Sequence, residues 1–128
     1  MRHLPTPDIH SALHRGQSVE QFMGRSPANP SYIRHIELRP SSNLVEVWVY
    51  DVEDQGNEEW LDLYDFNELE KSEADLPAAT FEDVVAAIAY AHEALSANPS
   101  RWVNHGIAQS EYLDYIRSGR PDGWPAAA

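Results

Sequence analysis

Residues 44–52, LVEVWVYDV, form the clearest strand in the chain. Side chains alternate across a strand with a period of two, so Val45, Val47 and Val49 share one side and Glu46, Trp48 and Tyr50 the other. This commits the molecule to a sheet with an apolar face that must be covered and a second face of mixed chemistry. The neighbouring segments extend it. Tyr32 to Arg39 reads as a strand that turns through Pro40–Asn43 into residues 44–52. Gln55-Gly56-Asn57 reads as a second turn, followed by a strand over 59–66 with Leu61 and Leu63 on the valine side and Trp60, Asp62 and Tyr64 opposite. Three strands with short connections make an antiparallel meander.

The cover for the valine face lies further along. Phe81, Val84, Val85, Ile88, His92 and Leu95 recur at helical spacing. Thr80 is placed to cap this helix, with Asp83 in its first turn, and Asn98-Pro99 ends it. The predicted fold is therefore α+β: strands at about 32–39, 44–52 and 59–66 packed by a helix over about 81–97, with Ile36 and Leu38 in the same core. Shorter helices are expected at both ends. One starts at Thr6-Pro7 and stops at Gly16; a second follows the capping-box pair Ser18 and Gln21 and closes at Gly24; the last runs from Ser110 to Gly119. Residues 101–106 read as a short strand or a loop. Residues 1–128 read as a single domain, with 1–5 and 120–128 as loose tails.

A chain of 128 residues, 42% hydrophobic and 23% charged, is large enough to bury a core as one globular unit. It contains no cysteine, which excludes disulfides and thiolate-bound metal. The longest apolar run, Val84 to Ala91, is too short to cross a bilayer, and the N-terminus lacks a signal-peptide core, so a cytoplasmic location is the default.

The formal charge of -12 is concentrated. Residues 46–75 hold twelve acids against Lys71 alone, whereas residues 1–45 hold five arginines against three acids. Such a segment repels nucleic acid and anionic membrane and attracts basic surfaces. With Trp48, Tyr50, Trp60 and Tyr64 among the acids, it suggests a partner-binding set: Glu46, Trp48, Tyr50, Asp51, Glu53, Asp54, Glu58, Glu59, Trp60, Asp62 and Tyr64. Aromatic residues are frequent hot spots, and flanking carboxylates steer a basic partner.

Other constellations are weaker. Asp51, Glu53, Gln55, Gly56, Glu59 and Asp62 imitate the spacing of a calcium loop, but Gln at the fifth position, Asp at the twelfth and strand-like flanks fit an acidic hairpin turn better. His10 and His14 stand four apart, without the intervening glutamate of a zinc-protease helix. His92 falls on the apolar stripe of its helix and reads as a core residue. His105 could pair with Glu111 or Asp114 as acid and base. No phosphate loop, dinucleotide fingerprint or nucleophile elbow is present, and no catalytic residue, metal or cofactor is assigned.

The leading expectation is a non-enzymatic acidic module that binds a basic protein surface, by the physics of an inhibitor of a basic nuclease or toxin, an immunity-like protein or a nucleic-acid mimic. The alternatives are a small enzyme or ligand-binding domain with a pocket near His92, His105 and the tyrosines, and a homo-oligomer that buries the aromatic sheet face. Direct nucleic-acid or membrane binding is not expected.

Overall fold

The computed structural model describes residues 2–69 and 76–125. Its elements are α1 (Thr6–His14), β1 (Val19–Arg25), β2 (Tyr32–Ser41), β3 (Leu44–Glu53), a 3-10 turn (Leu63–Asp65), β4 (Ala79–Phe81), α2 (Val84–Leu95), β5 (Val103–Asn104) and α3 (Ala108–Arg117). The strands form one five-stranded sheet in the order β4-β3-β2-β1-β5, with every pairing antiparallel. The α+β class and the strands at 32–39 and 44–52 are as expected.

The β2–β3 hairpin is the centre of the sheet, paired without interruption from Tyr32↔Glu53 to Ser41↔Leu44. Its two-residue turn places Ser42 at φ 54°. A positive φ at the first central position gives the connection the hand of the strand twist. As read from the sequence, Val45 and Val47 lie on one face, in a core with Ile36, Leu38 and Val19. Ile9, Ala12 and Leu13 of α1 and Ala87 and Ala91 of α2 close this core. Asp83, rather than Thr80, caps α2 by accepting from the Ala86 amide at 2.7 Å, and Thr80 belongs to β4.

The opposite face has its own core of Phe22, Ile33 and Val52 under Tyr112 and Tyr115 of α3, with Leu63 and Phe66. Leu63 thus packs on the side away from the valines, contrary to expectation. The cause is that residues 59–66 are not a strand. Asn57 Oδ1 accepts from the Glu59 and Trp60 amides at 2.8 and 3.1 Å, and Asn57 and Trp60 exchange backbone bonds, which closes a local turn. The chain then tightens into the 3-10 turn, while the edge of β3 is taken by β4. The alternation of Trp60 to Tyr64 reflects partial burial on an irregular segment, not a ladder.

The missing strand is β1, over residues expected to form a helix. Val19 to Phe22 are buried on both faces, so no polar–apolar alternation betrays them. Gly24 is not a helix stop. The register of β1 against β2 shifts between Phe22 and Gly24, a bulge that leaves Met23 as the extra residue. Gly24 has φ 79°, and a Cβ there would lie 2.6 Å from Trp124 Cβ.

The ends are held. His3 bridges to Val103, and the Leu4 amide donates to the Trp102 carbonyl at 2.7 Å. Arg2, His3 and Arg101 converge on the buried Glu111. At the other end Arg120 pairs with Asp54, and Trp124 packs edge-on against Phe22 and Tyr115. Arg2, His3, Leu4, Arg120 and Trp124, which lie in the stretches expected as tails, make these contacts.

Gly24→Ala combines a disfavoured backbone conformation with a clash against Trp124. It is expected to lower the unfolding free energy by about 1–3 kcal/mol, measured as a shift of the urea midpoint at constant slope.

Candidate functional site

α3 covers one end of its sheet face. At the other end β1, β2 and β3 present polar and aromatic side chains in register: Glu20 opposite Glu37, His35 opposite Tyr50, Glu37 opposite Trp48 and Arg39 opposite Glu46. This end opens into a cavity of about 370 Å³. Glu20, His35, Glu37, Arg39 and Tyr50 line it from the sheet, and Tyr64 of the 3-10 turn, Glu68 and His105 of the β5–α3 connection form its walls. A second depression of about 640 Å³ adjoins it, sharing Glu37 and His105 and running toward Arg15–Ser18.

Glu20 is 1% exposed. Its Oε1 accepts from the amides of Gly106 at 2.6 Å and Ala108 at 3.2 Å, and from the Tyr64 hydroxyl. Among the described residues, its Oε2 faces only His105 Nδ1, at 3.5 Å. Glu37 Oε1 accepts from the Arg39 guanidinium and the Tyr50 hydroxyl, each at 3.0 Å. Arg39 also donates to the Tyr50 oxygen at 2.8 Å and lies 4.2 Å from the centre of the Trp48 ring. Trp48 in turn donates from Nε1 to Glu46 at 3.0 Å.

The His35 ring stacks on Tyr50 at 4.8 Å and meets Tyr64 edge-on at 5.6 Å. It is 3% exposed, and its Nδ1 has no hydrogen-bond partner among the described residues.

The environment fixes charge states. Burial pulls the His35 imidazole down to about 4, so the ring is neutral at physiological pH. Burial alone would push the Glu37 carboxyl up, but donation from Arg39, Ser18 and Tyr50 outweighs it and holds the group below the ordinary carboxylate range. Burial, then the neighbouring carboxylates Glu37 and Glu20, push the Tyr50 and Tyr64 hydroxyls well above their ordinary value, so both stay protonated donors.

The expected partner-binding set is divided by the fold. Glu46, Trp48, Tyr50 and Tyr64 come together on the cavity side. Asp51 lies on the opposite face, in a two-pronged ion pair with Arg34 at 2.8 and 2.9 Å. Asp54 accepts from Tyr112 and Arg120, and Glu58 pairs with Arg117, so both acids are tied to the α3 end. Trp60 leaves the aromatic row and packs against Phe66. Glu53 accepts from the Asn67 side-chain amide at 3.5 Å, Glu59 is exposed, and Asp62 is exposed near Tyr64. The acids at 70, 73 and 75 lie outside the described residues.

The histidines also sort differently from expectation. His105 stands beside Glu20, because Glu111 is taken by His3, Arg2 and Arg101. His92 is exposed and bonds through Nδ1 to the Ala97 carbonyl at 2.9 Å, at the end of α2 and away from the cavity. His10 and His14 are both exposed, and among the described residues no group of three or more potential ligands could hold a metal.

Glu20, His35, Glu37 and Arg39 are not in the partner-binding set expected from the sequence. Glu20 lay in a supposed helix. The other three carried a usable signal: polar residues at 35, 37 and 39 recur at strand spacing on the side that faces Trp48 and Tyr50. Comparison with protein-family models, with curated proteins and with solved structures found no match.

The depressed His35 value implies a pH dependence of stability. An unfolded histidine takes up its proton near 6.5, while the folded one resists until about 4. The stabilising effect is therefore complete above the unfolded value and is lost as pH falls from there toward 4. Between pH 7 and 4.5 the protein is expected to lose on the order of 2 kcal/mol more unfolding free energy than a His35→Phe variant, measured by urea denaturation at both pH values.

Proposed function

We propose that the chain is an acidic recognition module that receives a basic protein partner on the sheet face carrying Trp48, Tyr50 and Tyr64. The observation that carries this reading is the Glu20–Glu37 pair. Like charges directly opposite on neighbouring strands destabilise a sheet, and buried charges need compensation. Keeping both carboxylates at the floor of a cavity makes physical sense where a cation arrives from outside.

The titration behaviour favours recognition over proton transfer. A general acid or base works best with a pKa near the working pH. His35, Glu37, Tyr50 and Tyr64 are each shifted away from neutrality, which leaves fixed donors, acceptors and charge. Inhibition of a basic nuclease or toxin, with carboxylates standing where nucleic-acid phosphates would lie, is the specific form of this reading that the charge and aromatic content support. The cavity itself favours one rival, a small-molecule or substrate site in which His105, Glu20 and Tyr64 act together. That rival predicts tight binding of a free small molecule with no contribution from the surrounding acids.

Two triple variants with the same change in net charge separate a local effect from a global one. Glu46→Gln with Asp62→Asn and Glu68→Gln removes charge on the cavity side. Asp8→Asn with Glu82→Gln and Glu93→Gln removes it from α1, α2 and the bend before α2 on the other side. Binding of an alternating Arg-Gly decapeptide at low salt is expected to weaken by about tenfold in the first and by less than about twofold in the second. Equal losses in the two would reduce the attraction to net charge and overturn the reading.

A further inference from the structure

We infer that the cavity is a receptor for one arginine side chain of the partner, whose guanidinium sits between Glu20 and Glu37 beneath Tyr64. The inference rests on the proposed recognition of a basic protein and names the group that its central site would take.

The molecule already contains half of such an arrangement. Arg39 lies over the Trp48 ring while donating to Glu37 and to the Tyr50 hydroxyl. Carboxylate, phenol oxygen and aromatic face are together the elements that read a planar guanidinium. Across the β1–β2 pairing the same elements recur in Glu20, Tyr64 and the stacked His35 and Tyr50 rings, with no guanidinium of the described chain on Glu20. The cavity lining holds three carboxylates, Glu20, Glu37 and Glu68, against the single guanidinium of Arg39.

Two further observations point to a ligand. His35 is almost fully buried at the cavity floor with Nδ1 unpartnered among the described residues, and such atoms in folded proteins are ordinarily satisfied. Among the described residues, Glu20 takes its three bonds on one oxygen and turns the other toward His105 alone. The guanidinium carries five N–H donors in a flat fork, enough for both carboxylates, whereas the ammonium of lysine is a more strongly hydrated point charge. A volume of about 370 Å³ is at the small end of ligand pockets, which span roughly 300–1,000 Å³. The adjoining depression past Glu37 and His105 leaves room for the polypeptide that bears the side chain.

The test uses the full chain and three probes: N-acetyl-arginine methylamide and its lysine and citrulline counterparts. The arginine probe is expected to bind with a dissociation constant on the order of 1 mM, the lysine probe at least about threefold more weakly, and the uncharged citrulline probe not measurably. Glu20→Gln should abolish the arginine response. A readout independent of that variant's folding is the amide spectrum of the unaltered protein, in which the arginine probe should shift Gly106 and Ala108 but not Ser11 or Ala12. Equal binding of lysine and arginine, or shifts confined to residues away from the cavity, would overturn the assignment. If the Arg-Gly peptide is still weakened selectively by the cavity-side triple variant while the arginine probe leaves Gly106 unmoved, the arginine pocket is wrong and recognition of a basic partner stands. If the peptide does not discriminate between the two triple variants, that broader reading has failed.

Discussion

Glu20 is the constraint on which the working face of this protein depends. A carboxylate at 1% exposure is costly unless donors surround it. Here the donors come from distant parts of the chain: the amides of Gly106 and Ala108 at the start of α3, and the Tyr64 hydroxyl from the 3-10 turn. Satisfying one buried charge therefore docks two irregular segments against the centre of the sheet. The amides at the α3 N-terminus add the favourable end of the helix dipole. The same three contacts erect the cavity, because Tyr64 and His105 become its walls. Local stability and the recognition surface have a common origin in that charge.

The acidic segment illustrates how sequence charge and surface charge differ. Twelve acids within residues 46–75 suggest one continuous patch. Folding distributes them: Asp51 goes to Arg34 on the far face, Asp54 to Arg120 and Glu58 to Arg117. The negative character of the cavity owes as much to Glu20 and Glu37, which come from the arginine-rich part of the chain. Proximity in space, set by the β1–β2 and β2–β3 registers, decides which acids act together.

How much of this was legible follows from what each element buries. The β2–β3 hairpin has one apolar and one mixed face, so its period of two is visible in Val45, Val47 and Val49 against Glu46, Trp48 and Tyr50. α2 has an apolar stripe and was equally plain. β1 is buried on both sides and carries a bulge at Gly24, so its letters imitate a capped helix. Residues 59–66 alternate but are held by the Asn57 turn rather than by a neighbouring strand. The aromatic half of the candidate site was therefore readable in Trp48, Tyr50 and Tyr64. His35, Glu37 and Arg39 left a strand-spaced polar signal beside them, but Glu20 did not, because it acquires its role only through burial by partners far along the chain.

The most direct test of the account is a crystal of the full chain soaked with methylguanidine. One ordered guanidinium is expected in the cavity, its nitrogens within about 2.7–3.2 Å of Glu20 Oε2 and of a Glu37 oxygen, with Arg39 unmoved over Trp48. A cavity that stays filled with water, or that admits an anion on Arg39 in preference to the guanidinium, would contradict it.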